Sequence, residues 1–191
     1  FSPPTQKLLS QIINASQNFM VRSLGESSVS QRDVQRGFSL IKFFHNHAPD
    51  SMKREGPEKL MQSAVALAAS VAYFFRLPTE TVIGLDHKDK LLRDEYIVEV
   101  QKVFPAFRRT VDECVDRFVT RENFEIPDGI ALNQALKENI FCMVAALETK
   151  IPVSIIGLPG SSKTLSFQIV QRNLRGPALS PTEFCRKFKE I

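Results

Sequence analysis

Apolar residues recur along most of the chain at the three- and four-residue spacing of an amphipathic helix. The segment 58–76 is apolar almost all round, which indicates a helix at the centre of a helical core. The predicted helices cover residues 5–22, 30–45, 58–76, 79–85, 87–104, 105–119, 130–149 and 163–174. Asp128 is the expected cap of the helix that starts at residue 130, and Ser180 or Thr182 is the expected cap of a last helix. The pattern therefore predicts a mainly α protein.

One short apolar run breaks this helical spacing. Residues 152–156 lead directly into a loop with two glycines, so they predict a buried strand that contains Ile155 and Ile156. The loop reads Gly157-Leu158-Pro159-Gly160-Ser161-Ser162-Lys163-Thr164, and Leu165 continues into the helix that follows. A strand, a glycine-bearing loop, Lys-Thr and a helix follow one another in the order of a phosphate-binding loop.

Each part of this loop has a role in holding a phosphate. Gly157 and Gly160 allow backbone N–H groups to turn toward an anion, and the start of the next helix adds positive potential. Lys163 would reach the β- and γ-phosphates of ATP, and the Thr164 hydroxyl would be a ligand of Mg²⁺. We therefore expect residues 157–165 to bind the cofactor, with Lys163 and Thr164 as the catalytic residues.

Two motifs leave alternatives open. Ser162 stands where the strict pattern G-x-x-x-x-G-K-[ST] has its last glycine, so a serine-rich turn that caps an ordinary helix is the alternative to a phosphate site. Residues 30–36 contain Ser30, Arg32, Asp33 and Arg36. They are either a capped helix whose charges face solvent or a helix start that presents arginines to a phosphate.

Charge, cysteine spacing and the length of the most apolar segment limit the classes of function and the location that the sequence indicates. The 191 residues carry a net charge of +4 with interspersed charges, so a nucleic-acid surface is not indicated. The three cysteines are far apart and form no C-x-x-C pair, which predicts reduced thiols in an intracellular protein. The most apolar segment, 64–75, is shorter than the ~20 residues of a membrane span. We expect no transmembrane segment and a cytoplasmic location.

The segment 130–141, the pair Ile151-Pro152 and the loop together resemble the mysterin family. Its members are giant RING-bearing E3 ubiquitin ligases with a dynein-like tandem AAA+ core. The Gly-Ser-Ser-Lys form of the loop is a feature of one AAA+ module in that family, so Ser162 supports the resemblance. The resemblance is specific over residues 128–191 and looser over 1–127.

The resemblance implies a helical lid or linker over residues 1–125. Residues 126–191 would hold the first β-strand, P-loop and helix of an α/β AAA+ core. Arg32, in the pattern Ser-x-Arg-Asp-x-x-Arg, would touch the nucleotide phosphate of a preceding module, with Arg36 as the second candidate. The implied cofactors are ATP and Mg²⁺, and the implied partners are neighbouring AAA+ modules. A ubiquitin-conjugating enzyme would bind outside this chain, because the chain has no RING pattern.

Two further observations bear on activity. No apolar strand ending in Asp-Glu follows Thr164, and the pairs at 94–95 and 112–113 precede the loop. We therefore expect a piece of a longer ATPase that does not hydrolyse ATP by itself. Two alternatives remain open: a dynein-like mechanochemical ATPase without ligase activity, and a helical scaffold whose loop binds nothing or binds ATP without hydrolysing it.

Overall fold

The computed structural model describes residues 2–80, 82–83, 89–157 and 159–190, and it is mainly helical, as the sequence predicts. The α-helices are α1 (Pro3–Leu24), α2 (Gln31–His47), α3 (Asp50–Lys53), α4 (Pro57–Ala72), α5 (Leu92–Gln101), α6 (Phe107–Phe118), α7 (Gln134–Thr149), α8 (Lys163–Asn173) and α9 (Gly176–Leu179). Single 3-10 turns cover Glu26–Ser28, Phe74–Arg76 and Cys185–Lys187. Two short strands, β1 (Val82–Ile83) and β2 (Asp89–Lys90), pair in antiparallel fashion.

Contacts divide the chain into two compact units. The boundaries fall between His45 and Asn46, between Arg54 and Glu55, and between Asp112 and Glu113. The first unit therefore holds α1, most of α2, α4, α5 and the first half of α6. The second unit holds α3, the rest of α6 and α7 to α9.

The first unit packs around Tyr96, whose side chain is fully buried. The rings of Phe19, Phe74 and Phe107 lie 5.4, 5.8 and 5.9 Å from its ring centre. The Tyr96 hydroxyl shares a 2.7 Å hydrogen bond with the hydroxyl of Ser16 on α1, so the buried phenol keeps a polar partner. Burial raises the pKa of Tyr96, because the charged phenolate would lose its hydration.

Helix α4 is central to this unit, which confirms the interpretation of its apolar sequence. Ten of its 16 residues are buried. The helix ends at Ala72, four residues before the predicted end at 76, because Tyr73 leaves the helical conformation with φ −133° and ψ −58°. The chain then tightens into the 3-10 turn Phe74–Arg76 before Pro78, which disfavours helical conformation in the residue that precedes it.

The second unit has a core of phenylalanines. Phe118 on α6 meets Phe141 on α7 edge to face at 5.2 Å and Phe184 at 5.1 Å. Phe124 and Phe188 complete the cluster, at 6.2 and 6.4 Å from Phe118. All five side chains are buried, so this cluster joins α6, α7 and the C-terminal residues into one body.

Buried polar groups fix the C-terminal end of α8 within that core. The side chain of Asn173 accepts from the Glu125 N–H at 2.7 Å and donates to the Glu125 carbonyl at 2.9 Å. The Cys185 thiol donates to the Asn123 carbonyl at 3.1 Å. Burial raises the pKa of this thiol to about 11, although a hydrogen bond with Thr182 acts in the opposite direction.

Two predicted helices are wrong where β1 and β2 form. The expected helix 79–85 includes Val82–Ile83, which form β1, and residues 81, 84 and 85 lie outside the described part of the chain. The expected helix 87–104 starts only at Leu92 and ends at Gln101, while Asp89–Lys90 form β2 and His87 is outside the described residues. The β-branched pair Val82–Ile83 favours a strand once a partner strand is near.

Helix α7 starts four residues later than predicted. Its cap is Asn133 rather than Asp128, since the Asn133 side chain accepts from the Leu136 N–H at 2.9 Å. Gly129 has φ +78°, a left-handed conformation that turns the chain where the sequence predicts the helix to begin. The predicted last helix, with Ser180 or Thr182 as its cap, is wrong as well, because the chain there forms only the single 3-10 turn Cys185–Lys187. The Thr182 hydroxyl accepts from the Cys185 N–H at the start of that turn.

The predicted strand 152–156 is not formed in the described chain, where residues 151–157 have no regular secondary structure. A strand forms only by pairing with a neighbour, and no described segment pairs with these residues. The expected burial of the two isoleucines is wrong for the same reason. Ile155 is half-exposed and the Ile156 side chain is 92% exposed.

Candidate functional site

The candidate site is the loop that joins residues 151–157 to α8. Lys163 is the first residue of α8, as the sequence predicts, and Thr164 and Leu165 follow within the first helical turn. Ser166 is buried, and its hydroxyl donates to the Lys163 carbonyl at 2.7 Å. Ile169 and Val170 bury the helix face one turn later, so α8 is a fixed support for the loop. Leu158 lies outside the described residues.

The loop backbone needs residues that tolerate unusual positions. Gly160 has φ +83°, and Ser162 has φ 59° and ψ 17°, the left-handed region that glycine adopts without steric cost. A Cβ atom at Gly157 would lie 2.9 Å from the Ser161 Oγ, closer than such atoms approach. Ser162 therefore adopts a backbone conformation typical of glycine, at the position where the strict sequence pattern has a glycine.

Several backbone donors of the loop have no acceptor. Within the described residues, the N–H groups of Gly160, Ser161, Ser162, Thr164 and Leu165 make no hydrogen bond. The last two belong to the first turn of α8, where N–H groups have no partner inside the helix. Unpaired N–H groups around a turn and a helix start can attract an anion.

Lys163 binds back onto the loop. Its Nζ donates to the Gly157 carbonyl at 2.7 Å and to the Ser161 Oγ at 2.9 Å, so the ammonium group spans the loop from its first residue to its fifth. Thr164 is exposed, and its hydroxyl has no partner among the described residues. The structure thus brings Lys163 together with two of the predicted loop residues and leaves the Thr164 oxygen accessible.

A groove of about 470 Å³ runs along α8 beside the connector that precedes α7. Leu165 lies at the loop end of its lining. The groove is lined by Pro127, Leu165, Gln168, Ile169, Gln171, Arg172 and Arg175.

Asn139 on α7 contacts the candidate loop, although the sequence did not predict a role for it. Its side-chain amide donates to the Ser161 carbonyl at 3.1 Å, across 22 positions of the chain. An asparagine in a helix interior is unfavourable for the helix, and that is the one signal of another role in the sequence.

Arg32 and Arg36 lie in the first unit, at the start of α2, and they differ in their surroundings. The Asp33 carboxylate between them is buried and accepts from the Ser30 N–H at 2.7 Å. Arg36 approaches Asp33 at 3.4 Å, and Arg76 reaches the same carboxylate at 3.5 Å. Arg32 is exposed and has no partner among the described residues. The guanidinium of Arg32 is therefore available to a ligand, whereas that of Arg36 is already paired.

Within the residues that the structure describes, no helix combines the length and the apolar character needed to cross a bilayer.

Comparison with known proteins identifies the context of this loop. Residues 129–191 match the family model described as RNF213 AAA domain. The E3 ubiquitin-protein ligase RNF213 of Homo sapiens is 31% identical over 197 residues, which cover 97% of this chain, and that of Mus musculus is 32% identical over 203 residues and 100% of the chain. The E3 ubiquitin-protein ligase rnf213-beta of Danio rerio is 28% identical over 97% of the chain.

The chain spans only 4% of the length of each of these relatives. The similarity nevertheless extends over nearly all of its residues, on both sides of the candidate loop. RNF213 is the ligase also called mysterin, so the predicted resemblance is confirmed, and the chain is an RNF213-like AAA segment.

Proposed function

We propose that residues 157–165 bind the phosphates of ATP as the P-loop of an AAA+ module. The observation that carries this proposal is the combination of unpaired loop N–H groups with the Lys163 ammonium turned onto the loop. A phosphate would replace the Gly157 carbonyl and the Ser161 hydroxyl as partners of Lys163. The exchange is favourable because the phosphate carries negative charge, whereas the carbonyl and hydroxyl oxygens that it replaces are neutral, so the ammonium group gains a Coulomb attraction.

The two residues after the loop would complete the site. The Thr164 hydroxyl is exposed and unpartnered within the described chain, and an oxygen of this kind suits Mg²⁺, which binds through oxygen ligands. Thr164 would hold the ion, which when bound neutralises charge on the phosphates. Leu165 lines the groove along α8 and would contact the nucleotide there. The base of the nucleotide would lie against the apolar lining of this groove.

The surrounding chain fits the same proposal. Residues 152–156 would become the first strand of an α/β AAA+ core when other strands of that core pair with them, and the exposed apolar side chains of Val153 and Ile156 support this. Residues 1–125 would be the lid or linker of a preceding module, and residues 126–191 the opening of the next. Arg32 would reach the nucleotide of that preceding module, with Arg36 held beside it by Asp33.

For the whole protein we propose an ATP-hydrolysing, tandem AAA+ enzyme with the E3 ubiquitin-protein ligase activity that the names of its relatives state. Neighbouring AAA+ modules and a ubiquitin-conjugating enzyme would be its partners, and the cytoplasm its location. A helical scaffold whose loop holds no nucleotide is the second candidate. The hydrogen bonds from Lys163 to Gly157 and Ser161 favour this candidate, because they give the lysine partners within the loop itself.

The test is substitution of Lys163 in the full-length protein. Lys163→Ala removes a charge-assisted contact worth about 1.5–3 kcal/mol, so the affinity for ATP with Mg²⁺ should fall about 10- to 100-fold at this site. Isothermal titration measures the change. The matched control is Lys150→Ala, which removes an exposed lysine of the same unit. Equal ATP affinity in the two variants would reject the phosphate site and favour the scaffold.

A further inference from the structure

A side chain on α7 holds one peptide group of the loop in place. The Asn139 amide donates to the Ser161 carbonyl at 3.1 Å, and Asn139 is half-buried within the helix. Helices α7 and α8 pack directly against each other in the second unit, so the donor sits on a rigid support next to the loop. The carbonyl of Ser161 therefore points toward α7.

The orientation of this carbonyl determines where the next N–H points. All peptide bonds in the described structure are trans, and in a trans peptide the C=O and N–H bonds point in opposite directions. With its oxygen held by Asn139, the peptide between Ser161 and Ser162 directs the Ser162 N–H away from α7. That N–H has no acceptor among the described residues.

Rotation of this same peptide, between Ser161 and Ser162, would relieve the backbone strain at Ser162. Ser162 has φ 59°, which is unfavourable for a residue with a Cβ atom. A half-turn of the peptide between Ser161 and Ser162 would bring φ of Ser162 to a negative value and relieve the clash. It would also move the Ser161 carbonyl away from Asn139 and reverse the Ser162 N–H. The hydrogen bond from Asn139 opposes this rotation.

We propose that Asn139 is a positioning residue for phosphate binding, a role that rests on the ATP-binding function proposed above. Asn139 holds the Ser161–Ser162 peptide in the orientation in which the Ser162 N–H donates to a phosphate oxygen. Where the strict loop pattern has glycine, positive φ is free of cost and no such anchor is needed. Asn139 thus compensates for the serine at position 162.

The experiment measures ATP affinity in the presence of Mg²⁺ for variants of the full-length protein, counting only the binding that Lys163→Ala weakens. Asn139→Ala should weaken this binding about tenfold. Asn139→Asp should do the same, because a carboxylate of the same shape cannot donate to a carbonyl, and this variant serves if Asn139→Ala does not fold. The matched control is Gln134→Ala, which removes the amide that bonds Glu138 at 3.1 Å on the same helix and should bind as the wild type does.

A double-mutant cycle separates positioning from simple loss of stability. In the Ser162→Gly background, Asn139→Ala should cost less than threefold, because glycine keeps the peptide orientation without an anchor. An equal loss in both backgrounds would overturn the proposal, and so would wild-type affinity in Asn139→Ala and Asn139→Asp. If Lys163→Ala leaves ATP binding unchanged, the proposed function itself fails and this inference fails with it.

Discussion

Replacement of Ser162 by glycine should stabilise the protein, because the loop holds a serine in a glycine conformation. Ser162 has φ 59° and ψ 17°. A residue with a Cβ atom in that region costs roughly 1–2 kcal/mol. Glycine removes this cost but gives the unfolded chain more freedom, which offsets about 0.5–1 kcal/mol. The expected net gain in the free energy of unfolding of Ser162→Gly is about 0.5–1 kcal/mol.

The assay is urea and thermal unfolding of the 191-residue chain, followed by far-ultraviolet circular dichroism. For a chain of this size, a gain of this magnitude raises the unfolding midpoint by roughly 1–4 °C. Ser162→Ala is the first control, since it keeps the Cβ atom and removes a hydroxyl that has no partner among the described residues. Its stability should stay within about 0.5 kcal/mol of the wild type.

A second control replaces another residue that has a left-handed backbone conformation, at a position outside the loop. Lys150 ends α7 with φ 56° and ψ 34°, and it is exposed. Lys150→Gly should give a gain similar to that of Ser162→Gly, because the end of a helix favours glycine in this conformation. If Lys150→Gly stabilises the chain and Ser162→Gly does not, then Ser162 is not strained in the loop.

Two further predictions concern groups outside the loop. The free energy of unfolding should fall as the pH rises from about 9 to about 11, because the Cys185 thiol has a pKa of about 11 when buried and 9.0 as its ordinary value, so the unfolded chain ionises first. Cys185→Ala should flatten that part of the pH profile, and an unchanged profile would contradict the role of this thiol. Arg32→Ala should alter ATP turnover by the full-length protein without changing the unfolding midpoint, since Arg32 is exposed and unpartnered in the described chain. Normal turnover would support a solvated arginine.

The helices were predictable where the apolar spacing was unbroken. Helix α7 has an apolar stripe and α4 is apolar almost all round, so both had to bury these side chains against other helices. Both helices do lie in a core. Their ends were harder to predict, because Asp128 and Asn133 are both good caps. The choice between them depends on the left-handed turn at Gly129, which sequence spacing does not reveal.

The strands were harder to predict than the helices: the one predicted strand, 152–156, does not form in the described chain, and the two short strands that do form were predicted as helix. A helix satisfies its own backbone, whereas a strand depends on a partner that is distant in sequence. Val82–Ile83 pair with Asp89–Lys90 and form a strand, whereas residues 152–156 have no pairing partner in the described chain. The position of Lys163 at a helix start was readable from the loop pattern. The contact from Asn139 to Ser161 was not readable, since it arises only from the packing of α7 on α8.

The exposed segment before the loop affects how the isolated chain can be handled. The side chains of Val153 and Ile156 are 47% and 92% exposed, and the backbone of 152–156 makes no hydrogen bond within the described structure. An apolar run with open backbone donors and acceptors is a template on which a second molecule can add a strand. Self-association at high protein concentration is therefore a built-in tendency of the isolated chain, and dilute samples are the appropriate choice for its biophysical measurement.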